Sequence, residues 1–183
     1  GENPAMSDPD VDHARDALAQ LDHLVVQDIF LTETANFADV ILPASAFAEK
    51  TGTVTNTNRQ VQMGRAAVTP PDEAKEDWWI EVELAKRLGL DWTYTHPSEV
   101  FAEMKLNMSS LNNITWERLE TEGAVTYPSL SPVDPGQEIV FGDGFPRQDG
   151  RARFTPASII APDDVPDEDY PMILTTGRQL EHW

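Results

Sequence analysis

The side chains best placed to do chemistry in this sequence are acids, amides and a lysine that follow short apolar runs. Gln27 and Asp28 close the run Leu24-Val25-Val26. Glu49 and Lys50 lie a few residues beyond a second run, Val40-Ile41-Leu42. Asp77 heads an amphipathic stretch, and Asn3 sits near the chain start, where a preceding strand would end. In open α/β sheets, ligands lie in the crevice outside the carboxyl ends of the strands. A carboxylate there can accept a pair of N–H bonds from a purine edge or hold ribose hydroxyls, and a lysine can neutralise a pyrophosphate. The pattern suits a nucleotide-type ligand. The plainer readings are an Asx turn at Asp28, a surface Lys50 and Asp77 as an ordinary helix N-cap, since polar residues are common in loops anyway.

Other chemistries leave no trace. There is no G-x-G-x-x-G, Walker A or G-x-S-x-G motif. His13, His23, His96 and His182 share no metal-ligand spacing, so surface or capping roles are expected for each. The chain has no cysteine, which excludes disulfides, thiolate metal sites, iron–sulfur ligation and a cysteine nucleophile within these residues. Its 32 acidic and 13 basic residues give a net charge of −19. Such a surface repels phosphate backbones and anionic lipid, so neither nucleic acid nor membrane is an expected partner. No apolar run reaches the length of a transmembrane helix, and a cytoplasmic location is expected.

The elements that must position these residues are short. Asp8 and Pro9 start a helix as N-cap and first residue, with Val11, Ala14, Leu18 and Leu21 at helical spacing. Residues 23–28 and 39–42 are apolar strands flanking one or two helical turns at 32–37. That rhythm is the mark of a parallel α/β sheet. Residues 51–62 alternate and read as extended structure or a hairpin. A helix over 77–88 presents Ile80, Leu84 and Leu88, widened by Val82 and Ala85, and ends at Gly89. Pro97 opens another helix with His96 or Ser98 near its cap, and Thr115 caps a short one closed by Gly123. Beyond Tyr127 prolines accumulate. Only short strands at 138–141, 151–154 and 171–174 are expected there, with mobility, and the acidic run 162–170 reads as a solvated linker.

Four words in the sequence go further: "GENPAMSDPD" (1–10), "LVVQDIFLTETANFADVILPASAFAEKTGTVTNTNRQVQ" (24–62), "DWWIEVELAKRLG" (77–89) and "YPMILTTGRQLEHW" (170–183). Through them the chain resembles the molybdopterin oxidoreductases that carry a bis-molybdopterin guanine dinucleotide. "HPSEVFAEM", "ITWERLETEGAVTYPSLSP" and "FGDGFP" are similar to stretches in catalytic alpha subunits of NAD-dependent formate dehydrogenases. The resemblance covers essentially the whole chain but only a middle-to-late part of a longer subunit, so the chain is expected to be a fragment.

The resemblance implies an α/β fold with a Rossmann-like open parallel sheet and flanking helices over 1–125 and a loop-rich excursion over 126–170. Residues 171–183 would begin a β-barrel-like C-terminal domain. It implies cofactor contacts at Asn3, Gln27, Asp28, Lys50 and Asp77. It also implies a loop around pterin and phosphate formed by Thr176, Gly177, Arg178, Gln179, Leu180, Glu181, His182 and Trp183. Catalytic residues, the molybdenum or tungsten ligand and iron–sulfur clusters would lie elsewhere in the subunit. Formate oxidation would then feed electrons through iron–sulfur and flavin (FMN) partner subunits to NAD, and the fragment alone would be inactive. A nitrate reductase of the same superfamily shares the "TGRQLEHW" ending. A non-catalytic acidic α/β interaction or scaffold module is the alternative of a different class.

Overall fold

The structure is a computed structural model that describes residues 2–162, 165–175 and 177. It divides into two compact units, Gly1–Val140 and Phe141–Trp183. In the first, helix α1 (Pro4–Ser7) and helix α2 (Val11–Ala19) lead to strands β1 (Val25–Asp28) and β2 (Val40–Pro43). These pair in parallel, Val25 opposite Val40 through Asp28 opposite Pro43, with a 3₁₀ turn at Ala35–Phe37 between them. Asp39 starts the ladder by accepting the Leu24 N–H at 2.7 Å. Both strands therefore end side by side, and the ladder reaches one step further. Ala44 bridges Lys75 in parallel, Lys75 N–H donates to Pro43 C=O at 3.1 Å and Ser45 N–H to Lys75 C=O at 2.8 Å. This bridge delivers the head of helix α3 (Asp77–Arg87) to the carboxyl end of the parallel pair.

Strands β3 (Gly52–Thr55) and β4 (Gln60–Gly64) form the expected hairpin, and β5 (Ala124–Thr126) adds antiparallel to β4. The turn holds because Asn56 Oδ1 accepts the Gln60 N–H at 3.0 Å. Helices α4 (Pro97–Asn107) and α5 (Trp116–Glu122) supply the packing. Val61, Phe101, Leu111, Ile114, Leu119 and Val125 make the buried cluster, with Met63, Trp116 and Tyr127 against it. The fold is thus mixed α/β, a small parallel sheet beside a small antiparallel one. Among the described residues no barrel closes and no helix is long and apolar enough to cross a membrane.

Local capping explains where the helices begin. The His96 ring accepts the Ser98 N–H, and Glu99 reaches back to the Thr95 and His96 N–H groups. Thr115 Oγ accepts the Arg118 N–H at 3.1 Å, and Gly123 leaves α5 at φ +79°. Thr115→Ala is expected to cost ~1 kcal/mol, the usual worth of an N-cap hydroxyl, measurable as a shift in the urea midpoint.

Several expectations are corrected. Helix α2 starts at Val11 with Asp10 as N-cap, because Asp8 spends its carboxylate on the Asp10 N–H instead. On α3 the buried residues are Ile80, Val82 and Ala85, while Leu84 and Leu88 are exposed. No strand forms at 138–141, 151–154 or 171–174. A strand needs a neighbour to satisfy its backbone, and none of these pairs with another segment among the described residues. Around the first of them turns take over: Phe141 sits at φ +63°, Gly144 N–H donates to Phe141 C=O, and Gly150 N–H to Arg147 C=O.

Residues 127–138 have no regular structure, yet two guanidinium groups fasten them. Arg59 donates to the carbonyls of Tyr127, Gln137 and Glu138. Arg118, its side chain 8% exposed, donates to Ser129 Oγ and to the carbonyls of Asn113, Ser131 and Asp134. Gly136 is required there: at φ +98° a Cβ would lie 1.8 Å from the Thr126 carbonyl oxygen.

Candidate functional site

Asp77 is the first residue of α3 and does not cap it; Glu76 holds the N-cap position without a side-chain capping bond, its carboxylate accepting the Trp78 indole N–H instead. The Asp77 carboxylate instead turns to two partners distant in sequence. Gln27 Nε2, at the end of β1, donates to Oδ1 at 2.7 Å. Lys50 Nζ pairs with Oδ2. Lys50 is presented by a 3₁₀ turn, Phe47–Glu49, that Glu49 steadies by accepting the Ala46 N–H at 2.7 Å. The helix N-terminus adds a favourable field for the carboxylate. Partial burial pushes the Asp77 carboxyl up, but the Lys50 and Gln27 hydrogen bonds outweigh it and hold the group below the ordinary carboxylate range. The pair is about a third to two-fifths exposed, 34% at Lys50 and 41% at Asp77, so solvent screens it.

Asp28 is buried and follows Gln27 in β1, so the pleat sends the two side chains to opposite faces. Its Oδ1 accepts the Ile29 N–H at 2.7 Å and the Phe30 N–H at 3.3 Å, the Asx turn that turns the chain away from the strand. Asn3 flanks α1 and binds the segment after β1: Oδ1 accepts from Thr34 N and Oγ1, and Nδ2 donates to Glu33. The structure therefore joins Gln27, Lys50 and Asp77 directly. It leaves Asn3 with Glu33 and Thr34, and sets Asp28 on the Ile29 and Phe30 amides. Thr176 and residues 178–183 lie outside the described residues; Gly177 is described, with open space around its Cβ position. Among the described residues no group of three or more His, Asp or Glu gathers for a metal.

Beside the Lys50–Asp77 pair opens a cleft of about 260 Å³. Its walls are mostly apolar: Phe47, Val54, Trp78, Pro97, Val100, Phe101 and Met104. Phe47 is largely exposed. Sequence reasoning missed Phe47 and Trp78 as wall residues. The available signal was their position, one within the turn before Lys50 and the other beside Asp77.

Residues 1–87 match the molybdopterin oxidoreductase family. Those residues belong to a molybdopterin oxidoreductase domain. Curated relatives extend the likeness over its whole length. It is 47% identical to the F420-dependent formate dehydrogenase subunit alpha of Methanocaldococcus jannaschii and 44% identical to the F420-dependent formate dehydrogenase 2 subunit alpha of Methanococcus maripaludis. All of this chain aligns with 27% of each relative, so it spans about a quarter of their length. Among solved structures, acetylene hydratase from Pelobacter acetylenicus superposes with a TM-score of 0.52 at 25% identity, over 64% of this chain and 16% of that one. The superposition shows that the aligned part shares that protein's fold. The Gln27, Asp77 and Lys50 motifs fall within the matched domain.

Proposed function

We propose that this chain forms one wall of the cofactor site in the alpha subunit of a formate dehydrogenase, holding a nucleotide arm of a molybdopterin guanine dinucleotide. The observation that carries the reading is the Gln27–Asp77–Lys50 cluster at the carboxyl end of a parallel strand pair. The donor set fits such a group. A carboxylate at a helix head accepts N–H or O–H donors, a lysine meets phosphate, and an apolar cleft alongside excludes water from one flank. Asp28 and Asn3 shape the rim by fixing the turn after β1 and the Glu33–Thr34 segment that follows it. Residues Thr176 to Trp183 are proposed to contact the same cofactor.

When bound, the molybdenum or tungsten centre supplies the two-electron oxidation of formate to carbon dioxide. The Gln27, Lys50 and Asp77 side chains would act by binding and orienting the cofactor. Iron–sulfur and flavin subunits would carry the electrons to NAD. A second reading of the acceptor has its own support: both relatives named above are called F420-dependent. Formate oxidation by the full-length complex, assayed with each acceptor in turn, separates the two.

The site reading predicts that Asp77→Ala in the full-length subunit weakens cofactor retention roughly tenfold or more, from the loss of charge-assisted bonds worth ~1.5–3 kcal/mol each. Molybdenum or tungsten, and guanine nucleotide released by acid, are counted per purified subunit after dialysis. Undiminished content would remove Asp77 from the site.

A further inference from the structure

The Gln27–Asp77–Lys50 cluster closes on itself. Asp77 has two carboxylate oxygens and each already holds a donor, the Gln27 amide on Oδ1 and the Lys50 ammonium on Oδ2. The three side chains come from the end of β1, the segment after β2 and the head of α3, so their bonds tie together the rim of the crevice. Each oxygen has room for a second bond, but a ligand that pairs its own N–H or O–H donors with both oxygens competes with the two partners already there.

Lys50 is the replaceable partner. Its ammonium rides on a flexible four-carbon stem, whereas the Gln27 amide is short and its backbone is locked in the β1–β2 ladder. The Lys50–Asp77 pair is partly open to solvent, and exposed ion pairs hold weakly. Within the reading of the site given above, we propose that Lys50 is a displaceable stand-in for the ligand. In the ligand-free protein it satisfies Asp77. When the donors of a bound nucleotide's base or ribose reach Asp77, Lys50 is released to the nucleotide's phosphate. Charges stay matched throughout, lysine with aspartate before docking and lysine with phosphate after it. Asp77 is never left without a donor, and no bond is made or broken covalently.

One substitution should then act in opposite directions on neutral and anionic ligands. The test uses the full-length apoprotein, titrated calorimetrically with guanosine and with GDP. Lys50→Met is expected to bind guanosine about two- to fivefold tighter than wild type, the range that a screened ion pair sets, and to bind GDP more weakly. Added salt should tighten guanosine binding to wild type, because it screens the competing pair, and should leave the variant unmoved. Lys50→Arg, which keeps the charge, should preserve the wild-type preference for GDP over guanosine. If Lys50→Met weakens GDP but leaves guanosine unchanged or weaker, Lys50 is a plain phosphate contact and the stand-in role is overturned. If neither ligand binds, or Asp77→Asn alters neither titration, the nucleotide reading of the site fails and the stand-in role falls with it.

Discussion

Leu119→Ala is expected to destabilise the protein by about 2–5 kcal/mol, the range for truncating a large aliphatic side chain in a packed core. Leu119 is 0% exposed and sits on α5. It belongs to a cluster drawn from several elements. Val61 and Val125 stand opposite each other on β4 and β5, Phe101 comes from α4, and Leu111 and Ile114 come from the connection to α5. Because separate elements meet there, no single shift closes the void, so the loss should lie toward the upper part of the range. Leu84→Ala on α3 is the control. That side chain is 52% exposed, and its truncation should cost under ~1 kcal/mol. Urea unfolding of the two variants measures both. A cost at Leu119 no greater than that at Leu84 would mean this cluster is not the core.

Arg118→Met should produce the second large effect, about 3 kcal/mol or more, through polar groups rather than apolar area. The guanidinium binds carbonyls of Asn113, Ser131 and Asp134, the Ser129 hydroxyl and the Glu122 carboxylate. Methionine matches much of its length but donates nothing. The Ser131 and Asp134 carbonyls keep the Ser129 hydroxyl, and Ser131 also the Asp134 N–H, but each loses a charged donor, and so do the Asn113 carbonyl and the buried Ser129 hydroxyl. Hydrogen exchange should localise the damage. The Asp134 and Gln137 amides, bonded to the Ser131 and Pro128 carbonyls, should lose protection, while the β3–β4 hairpin keeps it. Uniform loss across the chain would instead show that Arg118 supports the whole core.

Features set by neighbours in sequence were legible before any coordinates. Thr115 and Gly123 bracket α5, His96-Pro97 opens α4, Gly89 follows α3, and the alternating stretch at 51–62 is a hairpin. Each depends on a side chain within a few residues of the backbone it serves, or on a φ that glycine reaches freely. Where two local choices competed, the reading slipped. Asp8 and Asp10 both suit an N-cap, and only the Asx bond between them gives the cap to Asp10. Strand β5 escaped notice because Ala124–Thr126 carries almost no periodicity and exists by pairing with β4.

The polar residues of the site were also nameable singly, as strand-end and helix-head side chains. Their meeting was not. Asp77 lies 50 residues from Gln27 and 27 from Lys50, and nothing near it in sequence tells a capping carboxylate from one turned toward a crevice. The Ala44–Lys75 bridge decides that by extending the parallel ladder one step and setting the head of α3 against the strand ends. The sequence by itself determined which residue types stand at the ends of elements, because caps and turns are short-range contests. Which of those residues share a site was decided only by the tertiary structure, because strand pairing depends on partners that local sequence does not encode.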